Sequence, residues 1–190
     1  IGVIGYGYWG PNLVRNFAGI PEAQVRSVAD LDPHRLGLLK TRFPAIETTT
    51  DFRTLISDPS IDAVVIATPV SSHFELALQA LRGGKHVFIE KPLTETAEQA
   101  EQLIAEADNR GLVLHVDHTF IYTSAVRKIR DLVTAGDIGE LYYYDSVRVN
   151  LGLFQSDVDV MWDLAVHDLS IMDYVFPSTP IAVSDRLRRD

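Results

Sequence analysis

The sequence has no cysteine among its 190 residues, which excludes disulfide bonds, thiolate catalysis and cysteine-based zinc sites. It has no apolar run near the roughly 20 residues that a membrane-spanning helix needs. It also lacks a surplus of basic residues, since 17 Lys and Arg stand against 26 Asp and Glu, for a formal net charge of −9. Because phosphate binding favours a basic face, we expect no nucleic-acid partner. These absences favour a cytoplasmic protein that does not enter a membrane.

The chain begins at Ile1, inside an apolar run. It has neither an initial methionine nor a leader in which charged residues precede apolar ones. We therefore expect residues to be missing before Ile1. Domains usually contain about 100 to 150 residues. A chain of 190 residues is therefore long enough for one full domain and part of a second.

The first ten residues carry the strongest indication of function. An apolar run over 1–4 leads into Gly5-x-Gly7-x-x-Gly10, and a helical pattern with Pro11 in its first turn follows. In a dinucleotide-binding strand-turn-helix, the first glycine permits the tight turn and the second lets a pyrophosphate approach the backbone. The third allows the helix to lie close to the strand. A lone glycine triplet is weak evidence, because a Gly-rich turn without a ligand is the alternative.

An acidic residue follows at the spacing expected for the ribose-binding carboxylate of such a fold. Asp30 comes directly after a predicted strand over 24–29. Its oxygens would accept hydrogen bonds from the adenosine ribose, and its charge would repel a 2′-phosphate. Residue 31 is leucine, so no arginine follows directly, and NAD is favoured over NADP. The alternative is a helix-capping role for Asp30, although Asp32 and Pro33 already supply a cap and a first-turn proline.

Strand and helix patterns alternate through the first 119 residues, which predicts a doubly wound parallel sheet. The apolar run within 61–67 predicts a strand buried on both faces, and further strands are predicted at 86–89 and, also buried, at 112–116. Polar residues follow at the sheet edge where α/β proteins bind ligands: Thr68 and Pro69, then Glu90 and Lys91, then Asp117 and His118. Packing in a protein core does not readily explain a charged Glu90-Lys91 pair directly before Pro92. We therefore expect the Lys91 side chain to point into a cleft.

Helical periodicity and capping patterns predict the helices between these strands. The expected inward faces include Ile20 near the end of the first helix and residues 103–104 of the helix that follows residue 96. Ser72 and Glu75 match a capping box for the helix after residue 69. This pattern places His73 in the first helical turn, where we expect a solvated side chain or one at the edge of the cofactor.

The pattern changes after Phe120. Besides helices over 124–135 and 160–175, the sequence predicts a long Tyr- and Val-rich strand over 141–151 and a short strand over 181–183. Such a long strand favours an antiparallel sheet. We therefore predict an α/β architecture with a Rossmann domain over 1–119, followed over 120–190 by the start of an α+β domain with a largely antiparallel sheet. The remaining strands of that sheet are expected beyond Asp190.

Asp163 and His167 are four residues apart and therefore share one face of the predicted helix over 160–175. Such pairs are commonly surface pairs that contribute only a few tenths of a kcal/mol, and this is the alternative reading. An imidazole can accept a proton near neutral pH, so His167 is a candidate base, and Asp163 would orient either the hydroxyls of a substrate or the imidazole. The apolar residues on other faces of the helix indicate a partly buried setting for the pair: Trp162, Leu164, Leu169, Ile171 and Met172.

The histidines and carboxylates could instead form a metal site. His115, Asp117 and His118 are close in sequence, but the alternation of a strand sends His118 to the side opposite the other two. No metal is therefore predicted.

These motifs together resemble the Gfo/Idh/MocA oxidoreductases, the group related to glucose-fructose oxidoreductase and inositol dehydrogenase. The matching segments stand in the expected order: Gly5-x-Gly7-x-x-Gly10, Asp30, Ala67-Thr68-Pro69, Glu90-Lys91-Pro92-Leu93 and Trp162-Asp163-x-x-x-His167-Asp168. The resemblance implies that Lys91 contacts the substrate and the cofactor ribose, and that Asp163 and His167 join it in catalysis. It also implies an open C-terminal sheet that forms subunit contacts, hence a homo-oligomer.

The opening segment is especially similar to family members that act on sugar nucleotides, among them UDP-N-acetylhexosamine and uronate 3-dehydrogenases. Residues 117–122 depart from the family, because Asp-His-Thr-Phe-Ile-Tyr stands where many members have an Asn/Arg-Arg-Phe run. Side chains at that place can face the substrate, so the departure bears on which substrate is bound.

The resemblance implies an NAD-dependent oxidoreductase, with NADP the less favoured cofactor. It would move a hydride between the nicotinamide and a secondary alcohol of a sugar, inositol or sugar nucleotide, while Lys91 and His167 handle the proton. The alternative is a non-catalytic sensor of NAD or a sugar nucleotide on the same scaffold, because a fold does not determine a function. The predicted cofactor-binding residues are Gly5, Gly7, Tyr8, Trp9, Gly10, Asp30, Thr68, Pro69, His73, Glu90 and Lys91.

Overall fold

The computed structural model describes residues 1–148, 159, 161–176, 178 and 180–184. The chain divides into two compact units. The first comprises Ile1–Asp117 with Gln155–Asp163, and the second comprises His118–Phe154 with Leu164–Asp190. No helix among the described residues is long and apolar enough to cross a membrane.

Parallel strands form one six-stranded sheet in the first unit, in the order β3-β2-β1-β4-β5-β6. The chain builds outward from β1 to β3 and then crosses to the other side of β1, so the strand order reverses between β1 and β4. In such sheets the crevice at the carboxyl ends of these two strands is where ligands bind. The predicted doubly wound sheet is thus confirmed. The strands are Gly2–Ile4 (β1), Ser27–Ala29 (β2), Glu47–Thr49 (β3), Ala63–Ile66 (β4), His86–Ile89 (β5) and Leu114–Val116 (β6).

Helices connect the strands, and most of them begin and end where the sequence indicates. Asp32 caps the second helix by accepting a hydrogen bond from the His34 N–H at 2.9 Å. Thr96 caps the fifth by accepting from the Gln99 N–H at 3.3 Å, and Gly111 ends that helix in the left-handed conformation. The helices of the first unit are Gly10–Ala18 (α1), Pro33–Arg42 (α2), Arg53–Ser57 (α3), His73–Arg82 (α4) and Ala97–Arg110 (α5).

The capping box predicted at Ser72 and Glu75 is wrong. Ser72 already has helical backbone angles, and its hydroxyl lies within hydrogen-bond distance of the Thr68 hydroxyl, at 2.7 Å, and of the Pro69 carbonyl oxygen, at 2.8 Å. A 3₁₀ turn over Val70–Ser72 therefore precedes α4. Competition of this kind from local side-chain to backbone bonds is a known property of serine.

Two apolar layers pack on the two faces of the sheet, because neighbouring strand residues point to opposite sides. Val3, Val28 and Val65 belong to one layer, together with α1 and α2 side chains such as Val14 and Leu39. The other layer contains Ile4, Ile66 and Ile89 with α4 and α5 side chains such as Leu81 and Leu103. Burying each side chain of this size stabilises the fold by roughly 1.5–3 kcal/mol.

Two residues expected to face this core do not. Helix α1 ends at Ala18, so Ile20 lies beyond it and is 43% exposed. Ile104 is 49% exposed, because the inward face of α5 is taken by Leu103 and Ala107.

The second unit contains two α-helices among its described residues, Ser124–Ala135 (α6) and Val166–Val175 (α7). Both were predicted. The predicted strand over 141–151 is not formed at 141–148, and 149–151 lie outside the described residues. Residues 181–183 are not a strand either. A strand exists only where a neighbour supplies hydrogen-bond partners, and the described part of this unit contains no such pairing.

The neighbouring residues Leu103 and Ile104 test this account of the core. Leu103→Ala should lower the free energy of unfolding by about 2–5 kcal/mol, because it leaves a cavity in a fully buried layer. Ile104→Ala should lower it by less than about 1 kcal/mol, because that side chain is half exposed. Urea unfolding of both variants measures the difference. Equal losses would contradict the assignment of the inward face of α5.

Candidate cofactor and catalytic site

The glycine turn after β1 requires glycine at two positions because of close backbone approaches. Gly5 has φ +96°, and a Cβ there would lie 2.6 Å from the Ala67 carbonyl oxygen after β4. A Cβ on Gly10 would lie 2.3 Å from the Gly5 carbonyl oxygen. Gly7 differs, since a Cβ there would meet only the Arg35 guanidinium, at 3.4 Å. The backbone at Gly7 is therefore open to a ligand, as the approach of a pyrophosphate requires.

The Asp30 side chain is buried and holds the glycine turn against β2. Its Oδ2 accepts from the Tyr6 N–H at 2.6 Å, and its Oδ1 accepts from the Asp32 N–H at 2.8 Å. A carboxylate oxygen can accept two hydrogen bonds, so each retains one acceptor position for a ribose hydroxyl. This geometry fits the adenosine half of a dinucleotide. Tyr8 and Trp9 follow in the same turn, where their exposed rings contact edge to face with centroids 5.3 Å apart.

His73 joins the two loops that follow β4 and β5. Its Nδ1 lies 2.9 Å from the Pro92 carbonyl oxygen, and its Nε2 lies 2.9 Å from the Thr68 carbonyl oxygen. The side chain is 1% exposed, so the expectation of a solvated histidine is wrong. Sequence spacing could not reveal this role, because both contacts are to backbone oxygens. His73 therefore supports the loops that carry Thr68, Pro69 and Lys91, and a direct contact with the cofactor stays a prediction.

Lys91 and Asp163, which are 72 residues apart in sequence, meet in the first unit. The Lys91 ammonium donates to Asp163 Oδ1 at 2.7 Å and to the Asp163 carbonyl oxygen at 2.9 Å. Their side chains are 16% and 21% exposed. An ammonium has three donors, so Lys91 can bind a ligand while it keeps both contacts.

Asp163 lies in a π-helical turn over Met161–Ala165, where the sequence predicted ordinary α-helix. The neighbouring Trp162 anchors this turn, because its indole N–H donates to the Thr94 carbonyl oxygen at 2.7 Å. The backbone N–H of Trp162 donates to Asp159 Oδ1 at 2.8 Å. π-Helical turns are frequent at functional sites. Here the turn directs both a carboxylate and a carbonyl oxygen at Lys91.

Glu90 is buried beside Lys91 and is 8% exposed. The pKa of the Glu90 carboxyl is raised to about 7, chiefly by burial and next by the negative charge of Asp117. A hydrogen bond from the Lys91 N–H and the Lys91 charge oppose this rise in pKa. The group therefore changes charge near neutral pH, which is unusual for a carboxyl group.

His167 belongs to the second unit, in the first turn of α7. The Phe120 ring contacts its imidazole edge to face, with centroids 4.8 Å apart, and the Arg148 guanidinium lies 4.9 Å from the Phe120 centroid. Arg148 Nε donates to Asp168 Oδ2 at 2.6 Å, and the Ser146 hydroxyl donates to Asp168 Oδ1 at 2.7 Å. Burial alone would raise the pKa of Asp168, but these hydrogen bonds outweigh it and lower the pKa.

Sequence reasoning missed the roles of Arg148 and Asp168, because the segment over 141–148 was read only as a strand. The adjacency of Asp168 to His167 was the available signal. Among the residues that the structure describes, no group of three His, Asp or Glu side chains is arranged to hold a metal ion. His115, one member of the rival ligand set, stacks on Phe88 with centroids 5.2 Å apart.

Residues 1–118 match the model of the Gfo/Idh/MocA family, described as an oxidoreductase family with an NAD-binding Rossmann fold. The chain belongs to this family. The resemblance stated from the motifs is thus confirmed, and the predicted NAD cofactor agrees with the family.

Three relatives illustrate the range of this family. UDP-N-acetylglucosamine 3-dehydrogenase of Acidithiobacillus ferrooxidans is 32% identical over 96% of this chain and 56% of its own length. GenD2 of gentamicin A biosynthesis, solved with NAD, is 31% identical with a TM-score of 0.68, covering 72% of this chain and 39% of GenD2. KijD10, a 3-ketoreductase of Actinomadura kijaniata solved with NADP and TDP-benzene, is 34% identical with a TM-score of 0.67, covering 73% and 43%.

The chain spans about half the length of the curated relatives it matches, with covered shares such as 42%, 53% and 54%.

The close approach at Gly10 predicts a strong effect of a single methyl group. Gly10→Ala should destabilise the protein by about 1–3 kcal/mol and weaken NAD binding, because its Cβ would collide with the Gly5 carbonyl oxygen. Gly37→Ala, in the middle of α2 with no atom within 4 Å of the new Cβ, is the matched control. It should raise stability by roughly 0.5–1 kcal/mol. Thermal unfolding and NAD titration measure both effects, and normal NAD binding by Gly10→Ala would contradict this account of the turn.

The raised pKa of Glu90 predicts a specific pH dependence of stability. The folded protein favours the protonated carboxyl, because the pKa of Glu90 is about 7 in the folded protein against an ordinary value of 4.5. The contribution of Glu90 to the free energy of unfolding should therefore fall as the pH rises from 4.5 through about 7. In Glu90→Gln this decline should be absent. Urea unfolding of both proteins at about pH 5 and about pH 8 measures it. Parallel profiles for the two proteins would show that Glu90 does not titrate in this range.

Proposed function

We propose that the complete protein is an NAD-dependent dehydrogenase that acts on a secondary alcohol of a sugar, inositol or sugar nucleotide. The observation that carries this proposal is the Lys91 ammonium, held by Asp163 at the carboxyl end of β5. It lies in the unit whose glycine turn and Asp30 fit the adenosine half of NAD. A lysine held in this way, with a donor to spare, suits a polar ligand better than a purely structural pair.

The bound nicotinamide would supply the hydride acceptor or donor. Lys91 would donate a hydrogen bond to the reacting oxygen, and its charge would stabilise that oxygen as it becomes negative. Asp163 would keep the ammonium in position. His167 would accept the hydroxyl proton during oxidation and return it during reduction, as an imidazole can near neutral pH.

A sugar nucleotide is our first choice of substrate. The UDP-N-acetylglucosamine 3-dehydrogenase relative aligns over nearly the whole chain, and the opening segment resembles such enzymes. Inositols and free sugars are the next choices, because the relatives include a scyllo-inositol 2-dehydrogenase of Bacillus subtilis.

We further propose that the second unit begins the C-terminal domain predicted over 120–190. In this proposal it supplies His167 and substrate contacts, and the sheet expected for the complete domain forms subunit contacts in a homo-oligomer. Light scattering of the complete protein gives its mass in solution.

The test is NADH formation by the complete protein with a panel of nucleotide sugars, inositols and free sugars. With an active substrate, Lys91→Ala and His167→Ala should each lower kcat by about 10²- to 10⁴-fold while NAD still binds. Lys128→Ala replaces an exposed lysine of α6 and should leave kcat unchanged. Unchanged turnover in Lys91→Ala or in His167→Ala would remove that residue from the mechanism. Binding of NAD and a nucleotide sugar without any hydride transfer would favour a sensor instead.

A further inference from the structure

Arg148 contacts two side chains that lie beside His167, the residue proposed to transfer the proton. Its Nε donates to Oδ2 of Asp168, the next residue along the chain after His167, at 2.6 Å. Its guanidinium carbon lies 4.9 Å from the centroid of the Phe120 ring, and this ring meets the His167 imidazole edge to face, with centroids 4.8 Å apart. All of these residues belong to the second unit. Arg148 is therefore linked to His167 along two routes, one through the helix backbone and one through an aromatic ring.

The Asp168 carboxylate ties residues 146–148, which form no helix or strand, to α7. Asp168 lies in the first turn of α7, and its Oδ1 accepts from the Ser146 hydroxyl at 2.7 Å. The side chains of Arg148 and Asp168 are 27% and 22% exposed, so salt and water screen this ion pair less than a pair at the open surface. A short bond between a guanidinium and a carboxylate is among the stronger hydrogen bonds in proteins. The first turn of α7, which carries His167, is thus held against residues 146–148.

The Phe120 ring limits the directions that the imidazole can take. Phe120 belongs to a 3₁₀ turn over Thr119–Tyr122, and its carbonyl oxygen accepts from the Thr123 N–H at 3.1 Å and from the Thr123 hydroxyl at 2.7 Å. The ring is therefore carried by a closed turn of the backbone, and the Arg148 guanidinium lies over it. Edge-to-face contacts between rings favour particular ring orientations. This turn falls within residues 117–122, the segment that departs from the common family run.

We propose that Arg148 is a positioning residue that fixes the orientation of the His167 imidazole through Asp168 and Phe120. The inference rests on the proposed function, in which His167 accepts the hydroxyl proton during oxidation. Transfer of that proton requires an imidazole nitrogen within about 2.6–3.2 Å of the hydroxyl oxygen, and a misplacement of about 1 Å can lower the rate about a hundredfold. Because Arg148 acts on the imidazole rather than on the substrate, its loss should lower kcat and leave substrate binding nearly unchanged.

The effect of Arg148 should disappear when the imidazole that it positions is absent. Initial rates of the complete protein, with a substrate found active in the panel, would be compared for Arg148→Gln and Asp168→Asn, each alone and combined with His167→Ala. Alone, each should lower kcat by about tenfold to a hundredfold, while KM and the Kd for NAD change by less than about threefold. In the His167→Ala protein, the same substitutions should lower kcat by less than a further factor of about two.

Arg130→Gln is the matched control, because the Arg130 guanidinium lies 4.1 Å from the centroid of the Tyr174 ring, near the other end of α7. It should leave kcat and KM unchanged. If Arg148→Gln fails to fold, Asp168→Asn keeps the size and shape of the side chain and repeats both comparisons. Similar losses of kcat with and without His167 would overturn the role of Arg148, and so would a raised KM at unchanged kcat, which would indicate a substrate contact. A wild-type protein that transfers no hydride with any substrate would refute the proposed function, and this inference with it.

Discussion

The hydrogen bond from the Tyr6 N–H to the buried Asp30 carboxylate is the interaction on which the cofactor end of the first unit depends. It fixes the turn after β1 against the end of β2, so the start of α1 and the ribose position are set together. In this tight turn the backbone comes so close at Gly5 and Gly10 that only residues without a Cβ fit there. A single carboxylate thus shapes the backbone, and it also determines the charge that an incoming cofactor meets.

A second set of contacts orders the exits of β4 and β5. His73 lies between the Thr68 and Pro92 carbonyl oxygens, and Glu90 and Lys91 directly precede Pro92. Lys91 is restrained by Asp163, whereas the buried Glu90 is near its point of titration. The electrostatics at this edge are therefore sensitive to small changes, as is common where charged ligands bind.

Much of the first unit was predictable because it depends on local patterns. Apolar runs long enough for buried strands, the glycine spacing, and caps such as Asp32 and Thr96 determine where elements begin and end. Errors arose where a side chain had two local choices. Ser72 bonds backward to the Thr68 loop rather than forward to its helix, and Ile104 shares its helix with better-placed core residues. The strand expected over 141–148 needs a partner, which periodicity does not supply.

By itself, the sequence determined the fold of the first unit, the family and the identity of the cofactor, because these depend on residue types at fixed spacings. It also singled out Lys91, Asp163 and His167 as candidates. Only the tertiary structure showed that Lys91 meets Asp163 across 72 residues, that His73 is buried between two carbonyl oxygens, and that Arg148 meets Asp168 beside His167. Each of these is a contact between groups on different elements, and its distance depends on how strands and helices pack rather than on any spacing along the chain.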